Sequence, residues 1–348
     1  MNITIIGAGN LGFAMAAHLS LEGHRISLWN RSKQTIEKLM KTQTIHIKGI
    51  IQGDAHIHLV TDDLSSALHE SELVLVTTPA SAHKELAEAT SKCLSHEPII
   101  VLNPGRTFGA IEFHHVFRLH NSDVDPIIAE TQTTIYTCRK INDDTVSVLA
   151  MKDDVLIASL DMADLDLILK IMPSCLKNQL IKAQSIIQTS IGNVGMVLHC
   201  SPILLNVGWT ENPDFSYNYY HQGIAPTISR FIEKLDEERV AVSIALGCRV
   251  LSTKEWFEKT YHIVEESLYD CIQKAKVYDT IEAPTSLSHR YIHEDIPCGL
   301  VPLEIVGKWL GLPMTITSLI IDLANQLLDT DFRKKGRKIY WYIYHVGI

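Results

Sequence analysis

Residues 1–12 read MNITIIGAGNLG. Ile3, Ile5 and Ile6 form an apolar run of the length of a buried strand. Gly7-Ala8-Gly9-Asn10-Leu11-Gly12 follows without a gap, and a helical spacing opens at once through Leu11, Met15 and His18/Leu19. Strand, glycine turn and helix in that order is the context that makes G-x-G-x-x-G specific for a dinucleotide. Gly7 would make the tight turn, Gly9 would let a pyrophosphate approach the backbone, and Gly12 would let helix and strand pack closely. The helix N-terminus, from Asn10 and Leu11 onward, would present free N–H groups to the phosphates. The competing readings are a glycine-rich β-hairpin turn and the apolar core of a secretory leader, and a leader requires a basic start and a small-residue cleavage site, neither of which is visible here.

Arg25 to Trp29 (RISLW) reads as the second strand. An NAD site usually places Asp or Glu about 20 residues past the glycines, on the ribose 2′-hydroxyl. Here the segment is Trp29-Asn30-Arg31-Ser32-Lys33, and no acid occurs between Glu22 and Glu37. Arg31, flanked by Asn30, Ser32 and Lys33, suits a 2′-phosphate, so the expected cofactor is NADP, with NAD as the alternative.

The chain has 348 residues, of which 46% are hydrophobic and 20% charged, giving an ordinary globular composition and a prior of two domains. A net charge of −9 argues against a nucleic-acid partner. No apolar run reaches membrane length, because the nearest, Val194 to Trp209, is broken by His199, Pro202 and Asn206. Seven scattered cysteines, an odd number without a C-x-x-C pair, fit free thiols in a reducing cytoplasm.

Further strands are expected at Thr44–Gly53, His56–Val60, Leu73–Thr77 and Ile99–Leu102, with helices at Thr35–Met40 and Ala82–Leu94. This alternation implies a doubly wound parallel sheet with ligands at the carboxyl ends of its strands. Thr78-Pro79 and Asn103–Thr107 fall at such ends. Strand-like segments continue at Pro126–Cys138, Thr145–Ala150 and Val155–Ser159. From about Ile181 the pattern is helical. One apolar face runs through Ile186, Ile187, Ile191, Val194, Val197 and Leu198, and another from Ile228 to Leu246 is stopped by Gly247. Ser252-Thr253-Lys254-Glu255 is a capping box, and Pro302–Leu310 and Thr315–Leu328 add two more helices. The expected architecture is an α/β Rossmann domain over residues 1–180 followed by an all-helical domain over 181–348. The aromatic tail Ile339–Ile348 (IYWYIYHVGI) is compatible with a strand, a dimer contact or disorder.

A nicotinamide enzyme acting on a carbonyl or imine needs a proton donor, a group that orients it, and a cation for a substrate carboxylate. His199, in NVGMVLHCSP, reads by itself as a satisfied core histidine. The stretch His289 to Pro297 carries two His, one Arg and two acids in nine positions, and is either a solvated turn or one wall of a site. A metal reading of His289 and His293 lacks H-E-x-x-H or a cysteine pair, so no metal is expected.

At this point the chain resembles the opine dehydrogenase family, which includes octopine and nopaline dehydrogenases. The matching pieces are GAGNLG, NPGRTFGAIEF (Asn103–Phe113), ETQTTIYTCR (Glu130–Arg139), NVGMVLHCSPILLN (Asn193–Asn206), SHRYIHEDIPCGLVPL (Ser288–Leu303) and DTDFRKKGR (Asp329–Arg337). The resemblance implies an NAD(P)-dependent enzyme that joins an α-keto acid to an amino acid and reduces the imine between them to a secondary amine dicarboxylate. It also implies a helical second domain like that of phosphogluconate dehydrogenase, and a cytoplasmic homodimer is expected. Carried over by residue, His199 would be the catalytic histidine, Asp295 its partner and Arg290 the holder of a substrate carboxylate, with His293 and Glu294 as bystanders. A carboxylate on one imidazole nitrogen fixes the tautomer and raises basicity. Cys200 stands where a proline is expected, Gly195 where relatives often carry asparagine, and Arg31 where an NAD user carries an acid. Two other readings stay open: a keto-acid reductase of the ketopantoate reductase type, which usually relies on a lysine base, and a non-catalytic dinucleotide sensor.

Overall fold

The computed structural model describes residues 1–339. The aromatic tail, apart from Ile339, lies outside them. Two compact units emerge, Met1–Ser190 and Ile191 onward. The division falls ten residues beyond the expected 180/181. The cause is local: Leu180–Lys182 is the edge strand of the first unit's sheet, and the hydroxyls of Thr189 and Ser190 donate to Glu130 in that unit at 2.8 and 2.6 Å.

The first unit holds an eight-stranded sheet. Its spatial order is Leu180–Lys182, Val155–Ser159, Ile128–Thr131, Ile99–Leu102, Leu73–Val76, Asn2–Ile6, Arg25–Trp29 and Leu59–Thr61. All neighbours are parallel except Val155–Ser159 against Ile128–Thr131. Leu73–Val76 and Ile99–Leu102 are buried along their whole length, as strands covered on both faces must be.

A second sheet was not anticipated. It has four strands in the order Gly53–His56, Thr44–Gly49, Thr145–Met151 and Tyr136–Lys140. The expected strand Thr44–Gly53 folds back on itself after Gly49, whose φ of +98° turns the chain in a conformation that side chains disfavour. His56–Val60 is divided between the two sheets, and so is Pro126–Cys138. The glycine-motif helix, Asn10–Leu21, packs on the large sheet and on this small one. Hence it is buried on nearly every side, Leu11 to Leu19, and not on one stripe. His18 Nδ1 meets the Tyr136 hydroxyl at 2.9 Å within that layer.

The second unit is helical and its longest helix, Pro226–Ala245, begins with Pro at the first turn and ends before Gly247 at φ +81°. Arg239 on this helix is fully buried and spends its donors on Asp236 and on the carbonyls of Ile191 and Leu251. The Ser252–Glu255 capping box forms both of its bonds. The apolar face expected to run from Ile186 to Leu198 is two helices, Ile186–Ile191 and Gly195–Leu205. Asn193 interrupts it by accepting the Gly195 N–H on its own side chain (2.9 Å), the local competition that makes Asn a cap and not a helix interior residue. His199 therefore lies in the middle of the short helix Gly195–Leu205. All seven cysteines are free thiols. Among the described residues no helix is long and apolar enough to cross a membrane.

Candidate active site

In the first unit the glycine turn is built as its sequence requires. Gly7 has φ +109° and donates its N–H to Trp29 O at 2.8 Å. A Cβ on Gly12 would stand 1.7 Å from Gly7 O, so only glycine lets the helix start this close to the strand. A Cβ on Gly9 would meet nothing within 4 Å, which leaves open space beside the backbone at that position. Gly9 is also the N-cap of the helix, and no side chain caps it. Thr78 Oγ1, at the end of Leu73–Val76 and before Pro79, is buried with no hydrogen-bond partner among the described residues. An uncapped helix start, an open glycine and an orphaned hydroxyl fit a dinucleotide phosphate. The residues that would hold it are Gly9, Asn10, Leu11 and Thr78.

Asn30 ties the second strand to this turn. Its Oδ1 accepts the Ala8 N–H at 3.1 Å, and its Nδ2 donates to Ser32 O at 3.0 Å. Asn30 is thereby occupied in shaping the turn. Arg31 is 80% exposed and pairs with the 74% exposed Glu85 at 3.0 Å, a contact of the kind worth ~0–1 kcal/mol and easily exchanged for a ligand. Asn10 Oδ1 accepts the Lys140 N–H at 2.9 Å, anchoring the helix start to the small sheet.

In the second unit His199 and Asp295 come together. His199 Nδ1 lies 2.7 Å from Asp295 Oδ2, with the His side chain 14% and the Asp side chain 1% exposed. An ionised Asp295 accepts from Nδ1–H, which leaves Nε2 as the imidazole's second, chemically available nitrogen. Asp295 sits at the start of a π-helical turn, Ile296–Leu300, of the type often found at functional sites. The Tyr291 ring stacks on the imidazole at 3.9 Å and 12°, and the Tyr219 hydroxyl donates to the His199 carbonyl. Burial pushes the hydroxyls of Tyr219, Tyr220 and Tyr278 well above their ordinary range, and that of Tyr291 up as well. These rings are thus neutral packing and donor groups around the pair. His289 caps the turn Arg290–His293 and meets Tyr291 edge-on, and burial, then Arg290 and His199, push its imidazole down.

Arg290 is 62% exposed, and its Nε stands 3.8 Å from Glu294, which is too long for a strong bond. His293 turns to Phe332 at 5.8 Å. Cys200, in the position where proline was expected, is buried with its Sγ 3.4 Å from Tyr291 O. Among the described residues no cluster of three or more His, Cys, Asp or Glu is arranged to hold a metal.

Three features escaped the reading of the sequence. One is the aromatic wall of Tyr219 and Tyr291. Another is Glu130, fully buried and holding Ala110 N–H at 2.9 Å together with Thr189 and Ser190. A lone acid closing the apolar strand PIIAE was its available signal. The last is Lys152, whose neighbours Asp153 and Asp154 disguise it as a surface turn.

A glycine-motif sheet with an open phosphate cradle, followed by a helical unit with a buried imidazole–carboxylate pair, defines an NAD(P)-dependent oxidoreductase. An opine dehydrogenase of Arthrobacter sp. (strain 1C) is 34% identical over 96% of this chain and 93% of its own length. The chain belongs to the opine dehydrogenase family. Residues 182–328 match the family model described as NAD/NADP octopine/nopaline dehydrogenase, alpha-helical domain. Residues 2–105 match that of the NAD-dependent glycerol-3-phosphate dehydrogenase N-terminus. The fold is shared with an octopine dehydrogenase solved with NADH and agmatine, at a TM-score of 0.81 and 17% identity over 97% of this chain and 94% of that one. It is shared too with yersinopine dehydrogenase bound to NADP+, at 0.75 and 13% over 97% and 93%.

Proposed function

We propose that the chain condenses an α-keto acid of the pyruvate type with an amino acid and reduces the resulting imine to an N-carboxyalkyl amino acid. The observation that carries this reading is the buried His199–Asp295 pair in a chain of this family. The amine adds to the keto carbon, water leaves the carbinolamine, and the imine carbon accepts a hydride. The reduced nicotinamide, when bound, supplies that hydride. Loss of water calls for an acid, and the reverse oxidation for a base. A positioned imidazole serves both directions. Asp295 holds the ring and stabilises the imidazolium without changing its own protonation. The lysine base usual in ketopantoate-type reductases has no counterpart in this pair, and the intact His199, Asp295 and Arg290 set speaks for catalysis over sensing. The test is oxidation of NAD(P)H with pyruvate, with and without a panel of amino acids. Turnover that requires both substrates supports the proposal, whereas turnover with the keto acid alone favours the simple reductase.

NADPH is the preferred cofactor in this reading, because Arg31 offers a planar donor fork where an NAD user places an acid. Arg31→Asp is expected to narrow or reverse the NADPH/NADH ratio of kcat/KM. An unchanged ratio removes Arg31 from the cofactor site. Arg290 is assigned to a substrate carboxylate, since its weak pair with Glu294 leaves most of its donors for a ligand. Arg290→Lys keeps the charge and loses the fork, so KM for the keto acid should rise by about tenfold, a bidentate charge-assisted contact being worth ~1.5–3 kcal/mol. Wild-type kinetics would make Arg290 a surface residue. A homodimer in the cytoplasm completes the proposal, and the mass in solution tests the dimer.

A further inference from the structure

Lys152 directly follows the strand Thr145–Met151 in the first unit, and its backbone N–H donates to Ile135 O at 2.8 Å. Its ammonium donates to the hydroxyls of Thr133 (3.1 Å) and Thr134 (3.4 Å), in the segment that leaves the carboxyl end of Ile128–Thr131. It forms no ion pair with any described residue. The charged group that acts on it most is another cation, Arg106, in the loop at the carboxyl end of Ile99–Leu102. Cys138, which also acts on it, has its Sγ 3.4 Å from the carbonyl of Asn10 in the glycine motif. Burial, then Arg106, push the ammonium down to about 8.

A desolvated ammonium that feels a second cation and has no ion-pair partner among the described residues is costly to keep. Groups of this kind concentrate where a ligand completes them. The place is right, since in open α/β sheets ligands lie at the carboxyl ends of the strands. The donors are right as well. The Thr134 hydroxyl has an acceptor in Tyr136 O at 3.4 Å, whereas the Thr133 hydroxyl accepts from Lys152 and finds no acceptor for its own proton among the described residues. One O–H and one ammonium N–H side by side suit the two oxygens of a carboxylate. The proposed reaction brings two carboxylates, one on each substrate.

We propose that Lys152, with the Thr133 hydroxyl, binds a substrate carboxylate. The assignment rests on the opine-forming reading. It is tested with Lys152→Met and Thr133→Val. Each amino acid is compared with its decarboxylated amine, and pyruvate with acetaldehyde. Lys152→Met should raise KM for one carboxylate substrate by about 10–100-fold, the range of a lost hydrogen bond to a charged group. The penalty should disappear with the analogue lacking that carboxylate, and which analogue abolishes it identifies the source. Thr133→Val should act in the same direction and less. Tm should not fall in Lys152→Met, because an uncompensated cation is replaced by an apolar chain of similar length, and the cofactor Kd should be unchanged.

Unchanged KM for both substrates, an equal loss on the carboxylate-free analogues, or a loss confined to cofactor binding would overturn the assignment. If the wild type shows no two-substrate turnover, the opine reading itself fails. Lys152 is then judged by titrating the cofactor-loaded protein with oxamate and with L-alanine. Weaker binding of one of them to Lys152→Met supports a carboxylate site. Equal affinities in both proteins, or binding to neither, contradict it.

Discussion

His199→Ala is expected to lower kcat by about 10²–10⁴, the usual contribution of a positioned acid–base group. The imidazole is held by two contacts, Asp295 on Nδ1 and the Tyr291 ring on its face, and Tyr219 anchors the backbone carbonyl of His199. Its orientation is therefore set before any substrate arrives. Asp295→Asn should lower kcat as well, because the amide reverses or loses the bond that fixes the tautomer. The double variant should lose much less than the product of the two effects, since groups that act as a unit are strongly non-additive. Cofactor affinity, read by NADPH fluorescence, should stay near normal in both single variants, because the glycine cradle belongs to the other compact unit. The expected pH profile also differs by direction, with reduction favoured at lower pH than oxidation, as an acid serves one and a base the other. Most of the turnover surviving in His199→Ala, or two single losses that simply multiply, would dismiss the pair as the catalytic centre.

The second large effect separates two glycines three residues apart. Gly12→Ala puts a methyl 1.7 Å from Gly7 O, and neither the strand end nor the helix start can yield without disturbing the turn. Overpacking of this kind costs ~1–3 kcal/mol and occasionally more. Its expected signature is a lower Tm of the cofactor-free protein together with about 10–100-fold weaker cofactor binding, at ~1.4 kcal/mol per tenfold. Gly9→Ala should behave differently. Gly9 has φ −82°, and its added methyl meets no atom of the protein within 4 Å. Its Tm should be within the scatter of the wild type, while the cofactor, approaching through that open space, should bind more weakly. Equal Tm losses in the two variants, or normal cofactor binding by Gly9→Ala, would contradict the assignment of the open space to a phosphate.

These contrasts follow the line between what was legible in the chain and what was not. Strand, turn and helix at residues 1–21 were readable because each step is enforced locally, by apolar run, glycine conformation and spacing. The limits of Arg25–Trp29, Ile99–Leu102 and Thr315–Leu328 were legible for the same reason. The small sheet was not, because Thr44–Gly49 and Thr145–Met151 pair across about a hundred residues, and alternation within a strand does not name its partner. The burial of the glycine-motif helix on its outer side is a consequence of that missed sheet. His199 and Asp295 are 96 positions apart, and only a resemblance brought them together before the fold did. Tyr219 and Tyr291 carried no signal of their own, since an aromatic residue in a helical segment reads as core. Lys152 was hidden by its two acidic successors, neither of which pairs with it.

The claim that the hydride goes to an imine carbon is open to one direct measurement. The protein is supplied with NADPH bearing deuterium at the transferable position, pyruvate and the amino acid that supports turnover, and the products are resolved by mass spectrometry. The expected product is the N-carboxyethyl amino acid with one deuterium, carried on the carbon between the secondary nitrogen and the former keto-acid carboxylate. Deuterated lactate with the amino acid recovered unchanged would contradict it, and would make the enzyme a reducer of carbonyls.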